Sequence, residues 1–427
     1  MRRAAAARKH RALVAAMGGE DNWRRAEQIA ASWSRLSVDV RLARQKRRID
    51  GIGATAAAAQ HLDTYAKLRQ AAEGAWDDWD VPLLGGVGAH VLGLAVEVRL
   101  LRGQTASDYA SVAEGLAAAW RVEAVRVETP QPGWVRLVAV TNDPLAVGAE
   151  LPMGAAPAGD TSGVRVGRRE TGEDLVFPLD QTSSVVGGVP GSGKSVTLNM
   201  ILAGLAFNDC IQVLGVDCKR LVEFYDWIPR MAGTAGDQEQ AENLLTLVDR
   251  LGEQRLDQLR GSGYKSWSRR GYSVGNPLIV VVIDECAELF DSSLDKKLAQ
   301  RLVGLVSRGV RLYRAAGIVY ILATQKPTVD VLPSIIRDNC ANRLAAQCTT
   351  REQEAAILGP LPDDPTVASA TMMPRRPGMV VVSDDAGRRG YGRIDFISES
   401  VTAAIAKASA PLRIPLSELL EVEVNEP

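Results

Sequence analysis

The sequence has few cysteines, and their pattern argues against both a disulfide framework and a cysteine-based zinc site. It contains five cysteines in 427 residues, and none of them forms a C-x-x-C pair. All five lie in or beside apolar runs that are typical of strands, so neither a disulfide framework nor a zinc site is indicated. We predict that all five are reduced core residues of a cytoplasmic protein; they are Cys210, Cys218, Cys286, Cys340 and Cys348.

The sequence also lacks a long uninterrupted apolar run. A helix that crosses a bilayer needs about 20 consecutive apolar residues, but the best candidate, residues 81–101, contains His90, Glu97, Arg99 and several glycines. We therefore predict strands here. The arginine-rich start is not followed by the apolar stretch of a signal peptide, so none is expected. No internal repeat is present.

Charge is unevenly distributed although the net charge is only -1. Residues 1–50 carry thirteen Lys and Arg against five Asp and Glu. A basic segment of this kind meets nucleic acid, anionic lipid or an acidic partner, or is simply the solvated face of a helix. The sequence alone leaves these alternatives open.

A glycine-rich stretch, SSVVGGVPGSGKSVT at residues 183–197, contains the pattern G-x-x-x-x-G-K-[ST]. Glycines let backbone amides turn inward around a polyphosphate, and the following helix directs its positive end at the same charge. Lys194 is then expected to reach the β and γ phosphates of ATP, and the Ser195 hydroxyl to bind Mg²⁺. The predicted nucleotide-binding residues are Gly188, Val189, Pro190, Gly191, Ser192, Gly193, Lys194, Ser195 and Val196.

Two further apolar runs end in polar residues. The run at residues 278–285, LIVVVIDE, predicts a buried strand that brings Asp284 to Mg²⁺ and Glu285 to the attacking water. The run at residues 317–326, GIVYILATQK, predicts another buried strand, which ends in Thr324 and Gln325. Gln325 is either a catalytic sensor of the γ phosphate or a plain strand end.

The order of patterns predicts the domain organisation. From residue 183 strands alternate with helices, which favours a parallel sheet covered on both faces. We predict a basic helical segment at 1–75, a small α/β domain at 76–150, a linker with short strands at 151–180, an α/β ATPase motor at 181–400 and an acidic tail at 401–427. The glycine-rich insertion 261–277 mixes basic and aromatic residues, so it is either a mobile loop that contacts DNA or a subunit, or an inert surface loop.

Several motifs together resemble the motor of the FtsK/SpoIIIE DNA translocases. They are GGVPGSGKSV, VDCKR, VVIDECAEL, RAAGIVYILATQKPTVDVL and RDNCANR, in the family's order and spacing between Thr161 and Phe396. The upstream stretch LLRGQTASDYASVAEGLAAAWRVEAVRVETPQPGWVRLVAVTNDPL resembles Tra-type versions from actinobacterial conjugative plasmids and integrative elements. Cys218 replaces the usual proline, and Val319 replaces a histidine.

The resemblance implies a RecA-like P-loop NTPase with a mainly parallel sheet, assembled as a homo-oligomeric ring of six subunits around double-stranded DNA. It implies that Arg314 is a catalytic arginine finger acting in trans, alongside catalytic Lys194 and Glu285. It also implies DNA contacts at Lys326, Arg337 and Arg351. Family members generally have membrane spans and often a C-terminal winged helix. Neither is predicted here, so a membrane-anchoring partner and a peripheral membrane location are both compatible with the sequence.

The sequence thus predicts an ATP-driven double-stranded DNA translocase for conjugative transfer or maintenance of a mobile element. Two alternatives remain at this stage. One is a protein-export ATPase of the same family, and the other is a nucleotide-gated DNA-binding replication-control protein. The pairing of Glu285 with Arg314 favours turnover over a passive switch.

Overall fold

The computed structural model describes residues 11–12, 14–45, 79–154, 159–293, 295–328, 331–360, 367–384 and 386–424. The chain forms two units that meet in sequence between Asp143 and Pro144. Within the described ranges, no helix is both long and apolar enough to cross a bilayer.

The N-terminal unit is an antiparallel sheet with helices on one face. Its elements are α1 (Glu20–Asp39), β1 (Arg44–Gln45), β2 (Trp79–Asp80), β3 (Leu83–His90), β4 (Gly93–Arg99), α2 (Ala106–Ala110), α3 (Ala113–Trp120), β5 (Ala124–Glu128) and β6 (Trp134–Val140). The four longer strands pair in the order β3-β4-β6-β5, and β1 pairs with β2.

Helix α1 belongs to this unit and does not form a separate segment. Its apolar face, which includes Ile29 and Trp33, shares one core with Leu94 and Val96 of β4. The Trp33 indole also donates a 2.7 Å hydrogen bond to the carbonyl of Pro82. The boundary predicted near residue 75 therefore differs from the observed division, because the apolar stripe of the helix needs the sheet to cover it. Much of the predicted segment 1–75 lies outside the described residues.

The second unit contains the elements that carry the predicted motifs. They are β7 (Gly163–Arg169), β8 (Asp174–Pro178), β9 (Ser184–Gly187), α4 (Lys194–Leu205), β10 (Ile211–Val216), a 3₁₀ turn (Tyr225–Trp227), β11 (Gly233–Ala235), α5 (Gln238–Ser262), α6 (Trp267–Arg270), β12 (Leu278–Ile283), α7 (Cys286–Leu289), α8 (Lys296–Leu312), β13 (Ile318–Thr324), α9 (Ser334–Arg337), β14 (Asn342–Ala345), α10 (Arg351–Leu358), β15 (Met379–Ser383), β16 (Arg389–Ile394), α11 (Glu399–Ser409), a second 3₁₀ turn (Ala410–Leu412) and α12 (Leu416–Val424).

Ten strands of this unit form one mixed sheet in the order β11-β10-β12-β13-β9-β14-β15-β16-β7-β8. The first six are mutually parallel, and every pairing from β14 to β8 is antiparallel. The central strands are buried on both faces because helices cover each side, which explains their unbroken runs of valine, isoleucine and leucine. The predicted α/β class with a mainly parallel sheet is confirmed.

The ends of this unit extend beyond the predicted motor limits of 181 and 400. Strands β7 and β8, expected in a linker, form one edge of the sheet. Near the C-terminus, Val401 and Ile405 of α11 share one apolar core with the sheet, and Leu416 and Leu419 of α12 share the other. The stretch predicted as an acidic tail therefore supplies core residues.

Candidate nucleotide site

The residues predicted to bind the nucleotide, Mg²⁺ and the attacking water converge at the carboxyl edge of the parallel strands. Val216 of β10 is level with Ile283 of β12, and Thr324 of β13 is level with Gly187 of β9. The residues that follow these strands therefore meet at one edge, where α/β proteins bind their ligands. Five predicted residues follow a strand end or begin the helix beside it; they are Lys194, Ser195, Asp284, Glu285 and Gln325.

The glycine-rich loop has the backbone conformation that phosphate binding requires. Gly191 and Gly193 have φ angles of 77° and 103°, which are strained for any residue with a side chain. The Val189 amide donates to the Gln347 carbonyl at 3.0 Å, which fixes the loop to the strand end. Within the described chain, the amides of Gly193, Lys194 and Ser195 have no backbone acceptor. Three free amides at the start of α4 form a suitable cradle for anionic oxygens.

Lys194 and Asp284 form a buried ion pair. The Lys194 ammonium binds the Asp284 carboxylate directly and also donates to the Asp284 carbonyl at 2.9 Å. The two residues are 3% and 0% exposed, and the Oδ2 atom of Asp284 has no hydrogen-bond partner within the described chain. Burial raises the pKa of the Asp284 carboxyl, whereas the Lys194 charge opposes that rise. Lys194 is therefore the counter-charge that stabilises the buried Asp284 carboxylate.

Removing this lysine should destabilise the fold in a pH-dependent way. In Lys194→Met the carboxyl loses its counter-charge, so we expect the free energy of unfolding to fall by about 3–5 kcal/mol. Because the pKa of Asp284 then rises further above its unfolded value, the folded state takes up a proton. The deficit should therefore grow as pH rises, by up to about 1.4 kcal/mol per pH unit, between the pKa of Asp284 in the unsubstituted fold and its higher pKa in the variant. Urea unfolding at pH 5.5 and 7.5 measures this, with exposed Lys297→Met as the control. A pH-independent deficit would contradict it.

The donor set fits a magnesium ion held jointly with a nucleotide. Asp284 has an unpartnered buried oxygen, and Ser195 presents a half-buried hydroxyl at the start of α4. Among the described residues no cluster of three or more His, Cys, Asp or Glu side chains could hold a metal by itself. Mg²⁺ commonly takes one or two protein oxygens and completes its shell with water and substrate phosphates. The assignment of Ser195 and Asp284 as its ligands stays a prediction.

Glu285 is held in a fixed orientation by β13. Its Oε1 accepts a 2.7 Å hydrogen bond from the Thr324 hydroxyl, and its Oε2 accepts a 2.9 Å bond from the Gln325 amide. Glu285 is 5% exposed. The strand end predicted to sense phosphate thus orients the adjacent carboxylate, through the side chain of Thr324 and the backbone of Gln325. A catalytic role for the Gln325 side chain stays a prediction.

Two acidic residues of the site were not predicted. Asp217 directly follows β10, as Asp284 follows the neighbouring β12. It is fully buried and accepts hydrogen bonds from the Lys219 and Glu223 amides at 2.9 and 3.0 Å. Asp217 and Glu223 both raise the pKa of Asp284. The signal in the sequence was the apolar run before Asp217, which resembles the run before Asp284.

Arg314 lies at the opposite edge of the sheet. It precedes β13, whereas Thr324 ends that seven-residue strand, so the two edges are about 23 Å apart. Its side chain is exposed and has no hydrogen bond or ion pair with any residue that the structure describes. Arg314 is therefore too far away to reach the nucleotide site of its own chain.

The three predicted DNA contacts differ in exposure. Lys326 is exposed just after β13, and its amide donates to the Thr324 hydroxyl at 3.1 Å. Arg351 is exposed at the first position of α10. Arg337 is paired with Asp338 at 2.9 Å, and its side chain is only 14% exposed. The first two are available to a polyanion without rearrangement, and Arg337 is the weakest of the three candidates.

The N-terminal unit matches a known family. Residues 21–141 match the actinomycete conjugal transfer protein N-terminal domain. This range includes α1 together with the four-stranded sheet, in agreement with their shared core.

The chain is also similar to known DNA translocases. The chain is 27% identical over 285 residues to the DNA translocase FtsK of Staphylococcus aureus, covering 62% of this chain and 35% of the relative. It is 29% identical over 304 residues to FtsK of Halalkalibacterium halodurans, covering 64% and 38%. The chain thus spans little more than a third of the length of these relatives.

A solved structure supports the same fold. It is the monomer form of the pCW3 conjugation coupling protein TcpA with ATPgS, with a TM-score of 0.55, 21% identity, and coverage of 77% of this chain and 94% of that one. The resemblance inferred from the sequence motifs is confirmed. The chain is thus similar to the FtsK DNA translocases, and its residues 21–141 match the N-terminal domain of actinomycete conjugal transfer proteins.

Proposed function

We propose that this protein is an ATP-driven translocase of double-stranded DNA that works as a six-subunit ring in the cytoplasm during conjugative transfer. One observation carries the proposal. A buried Lys194–Asp284 pair and an oriented Glu285 lie beside the glycine-rich loop, whereas Arg314 projects unpaired from the opposite edge of the sheet. An active site split in this way needs a second copy of the chain for its completion.

The residues of one subunit would act in sequence. Lys194 releases Asp284 and turns to the β and γ phosphates, where its charge is needed. Asp284 and Ser195 would hold Mg²⁺, which would supply positive charge to neutralise the phosphates. Glu285, fixed by Thr324 and Gln325, orients the attacking water. Arg314 of the neighbouring subunit stabilises the charge that develops, so hydrolysis weakens the contact between subunits.

Lys326 offers a route from hydrolysis to DNA movement. Its amide bonds to the Thr324 hydroxyl, which in turn bonds to Glu285. A change at the carboxylate is therefore transmitted through two hydrogen bonds to an exposed lysine. Phosphate contacts from Lys326 and Arg351 would hold the duplex without reading its sequence.

Triplex displacement on linear duplex with ATP tests the proposal. A tracking motor clears a triplex placed far from its loading site, so we expect displacement that requires ATP and is absent in Glu285→Gln. Turnover that is indifferent to duplex, under conditions where the ring assembles, would overturn it. Turnover raised by a secretion substrate would favour protein export, and DNA binding without turnover would favour a replication-control protein.

DNA affinity should depend steeply on salt. Each neutralised phosphate contributes a slope of about -0.9 to the logarithm of affinity against the logarithm of salt concentration. Lys326→Ala should weaken binding and reduce the slope by about one contact. Fluorescence anisotropy with a labelled duplex between 50 and 300 mM salt measures this, and Lys407→Ala on α11, an exposed lysine of the C-terminal region, is the matched control. An unchanged slope in Lys326→Ala would remove this lysine from the DNA contact.

A further inference from the structure

The turn that carries Arg314 is held by the glycine-rich insertion. The Trp267 amide donates to the Ala315 carbonyl at 2.7 Å. A side chain on Gly317, whose φ is 68°, would meet the Trp267 side chain at 2.9 Å and Tyr272 at 3.0 Å. This stretch was predicted as a mobile or inert loop, but it packs directly against the residues that follow Arg314.

Trp267 is the centre of this packing. It is fully buried, and the guanidinium groups of Arg255 and Arg270 both lie over its ring, each 4.7 Å from the ring centroid. Arg255 also donates to the Ala316 carbonyl at 3.2 Å. Cation–π contacts at a buried ring are stronger than at an exposed one. The stack therefore fixes Trp267 and the Arg314 turn to the same arginine.

A second anchor holds the insertion to Asp180, just before β9, the strand that leads into the glycine-rich loop. Asp180, four residues before β9, accepts hydrogen bonds from the Tyr272 hydroxyl at 2.7 Å and the Ser268 hydroxyl at 2.6 Å. Burial raises the pKa of Tyr272, as does the bond to Asp180. The phenol therefore stays protonated and keeps donating.

Tyr313, the residue before Arg314, is held by helix α5. The Tyr313 hydroxyl bonds to Asp249 at 2.5 Å and to Glu253 at 3.0 Å, both on α5. Neighbours on both sides of Arg314 are thus fixed, while its own side chain is exposed and has no partner within the described chain. An exposed unpaired charge on a rigid turn is preorganised for a ligand outside its own subunit.

We propose that Ser266–Tyr272, anchored on Asp180, is a clamp that positions Arg314 for the nucleotide of the neighbouring subunit. Trp267, Tyr272 and Asp180 are positioning residues, since none of them touches the reacting atoms. The inference rests on the proposed function, because it assigns the clamp to the split active site described above. A misplacement of about 1 Å costs catalysis up to about 100-fold, so loosening the clamp should resemble partial loss of the arginine.

The test uses mixed assemblies of the full chain. Asp180→Ala should lower turnover about 10- to 100-fold with unchanged ATP affinity, because the variant's own P-loop is intact. When Asp180→Ala is mixed with Glu285→Gln subunits, which have a dead site but an intact Arg314, turnover per Asp180→Ala subunit should rise. Arg314→Ala mixed in the same way is the reference.

Controls separate positioning from folding. Tyr272→Phe removes only the hydroxyl and should show the same rescue with a smaller loss. Tyr264→Phe, in the same insertion but half-exposed, should be unaffected. If Arg314→Ala is rescued but neither Asp180→Ala nor Tyr272→Phe is, the clamp is wrong and the split site stands. If Arg314→Ala is not rescued, the split site and the clamp are both wrong.

Discussion

Replacement of Glu285 by glutamine should lower ATP turnover about 10²- to 10⁴-fold while ATP binding and assembly persist. The substitution keeps the shape of the side chain, so the Gln325 amide still has an oxygen to bond and the Thr324 hydroxyl still has a polar neighbour. Only the negative charge that orients and deprotonates water is lost. Binding depends instead on the loop amides and on Lys194, which the change leaves intact.

Steady-state hydrolysis with duplex DNA and equilibrium binding of a fluorescent ATP analogue measure the two halves of this result. Glu288→Gln is the matched control, because Glu288 is half-exposed on the next turn of the same segment and should change turnover little. Substantial remaining hydrolysis in Glu285→Gln would remove this residue from its role. A joint loss of binding and turnover would instead indicate local misfolding at the strand end.

The elements that depend on local patterns could be predicted. The strands predicted before Asp284 and Gln325 were found as Leu278–Ile283 and Ile318–Thr324. Each is a short apolar run that ends at a polar residue, and parallel strands bring such ends to one edge. Because the spacing of G-x-x-x-x-G-K-[ST] is fixed by the ligand, the site followed from the same patterns.

Features set by contacts distant in sequence could not be predicted. The apolar face of α1 indicates a helix, but it does not indicate which sheet covers that face. Nor does it indicate that Trp33 bonds to the carbonyl of Pro82, which lies 49 positions away along the chain. The insertion reads as a loop because its Gly and Ser content dominates the local pattern, whereas Trp267 is buried by Arg255 and Gly317, which lie 12 and 50 positions away along the chain. Likewise, a hydroxyl at a strand end gives no sign that Thr324 bonds to Glu285.

Replacement of Arg314 by alanine should lower turnover about 10³-fold or more, the effect typical of an arginine finger. The side chain is exposed and unpaired within the described chain, so its removal breaks no internal contact and the melting temperature should not change. ATP affinity should fall little, because each nucleotide is bound by the P-loop of its own subunit, which the substitution leaves intact. Arg311→Ala, one turn earlier on α8 and also exposed, is the matched control.

The position of Arg314 makes a mixing experiment decisive. A residue about 23 Å from its own site cannot act in cis, so Arg314→Ala sites must recover when the neighbour supplies the arginine. Mixing with Glu285→Gln subunits provides that neighbour without adding active sites, and turnover should exceed the sum of the two variants alone. If activity instead falls in proportion to dilution, Arg314 acts only within its own subunit. The active site is then not shared between subunits, and ATP hydrolysis cannot drive a ring by changing their contacts.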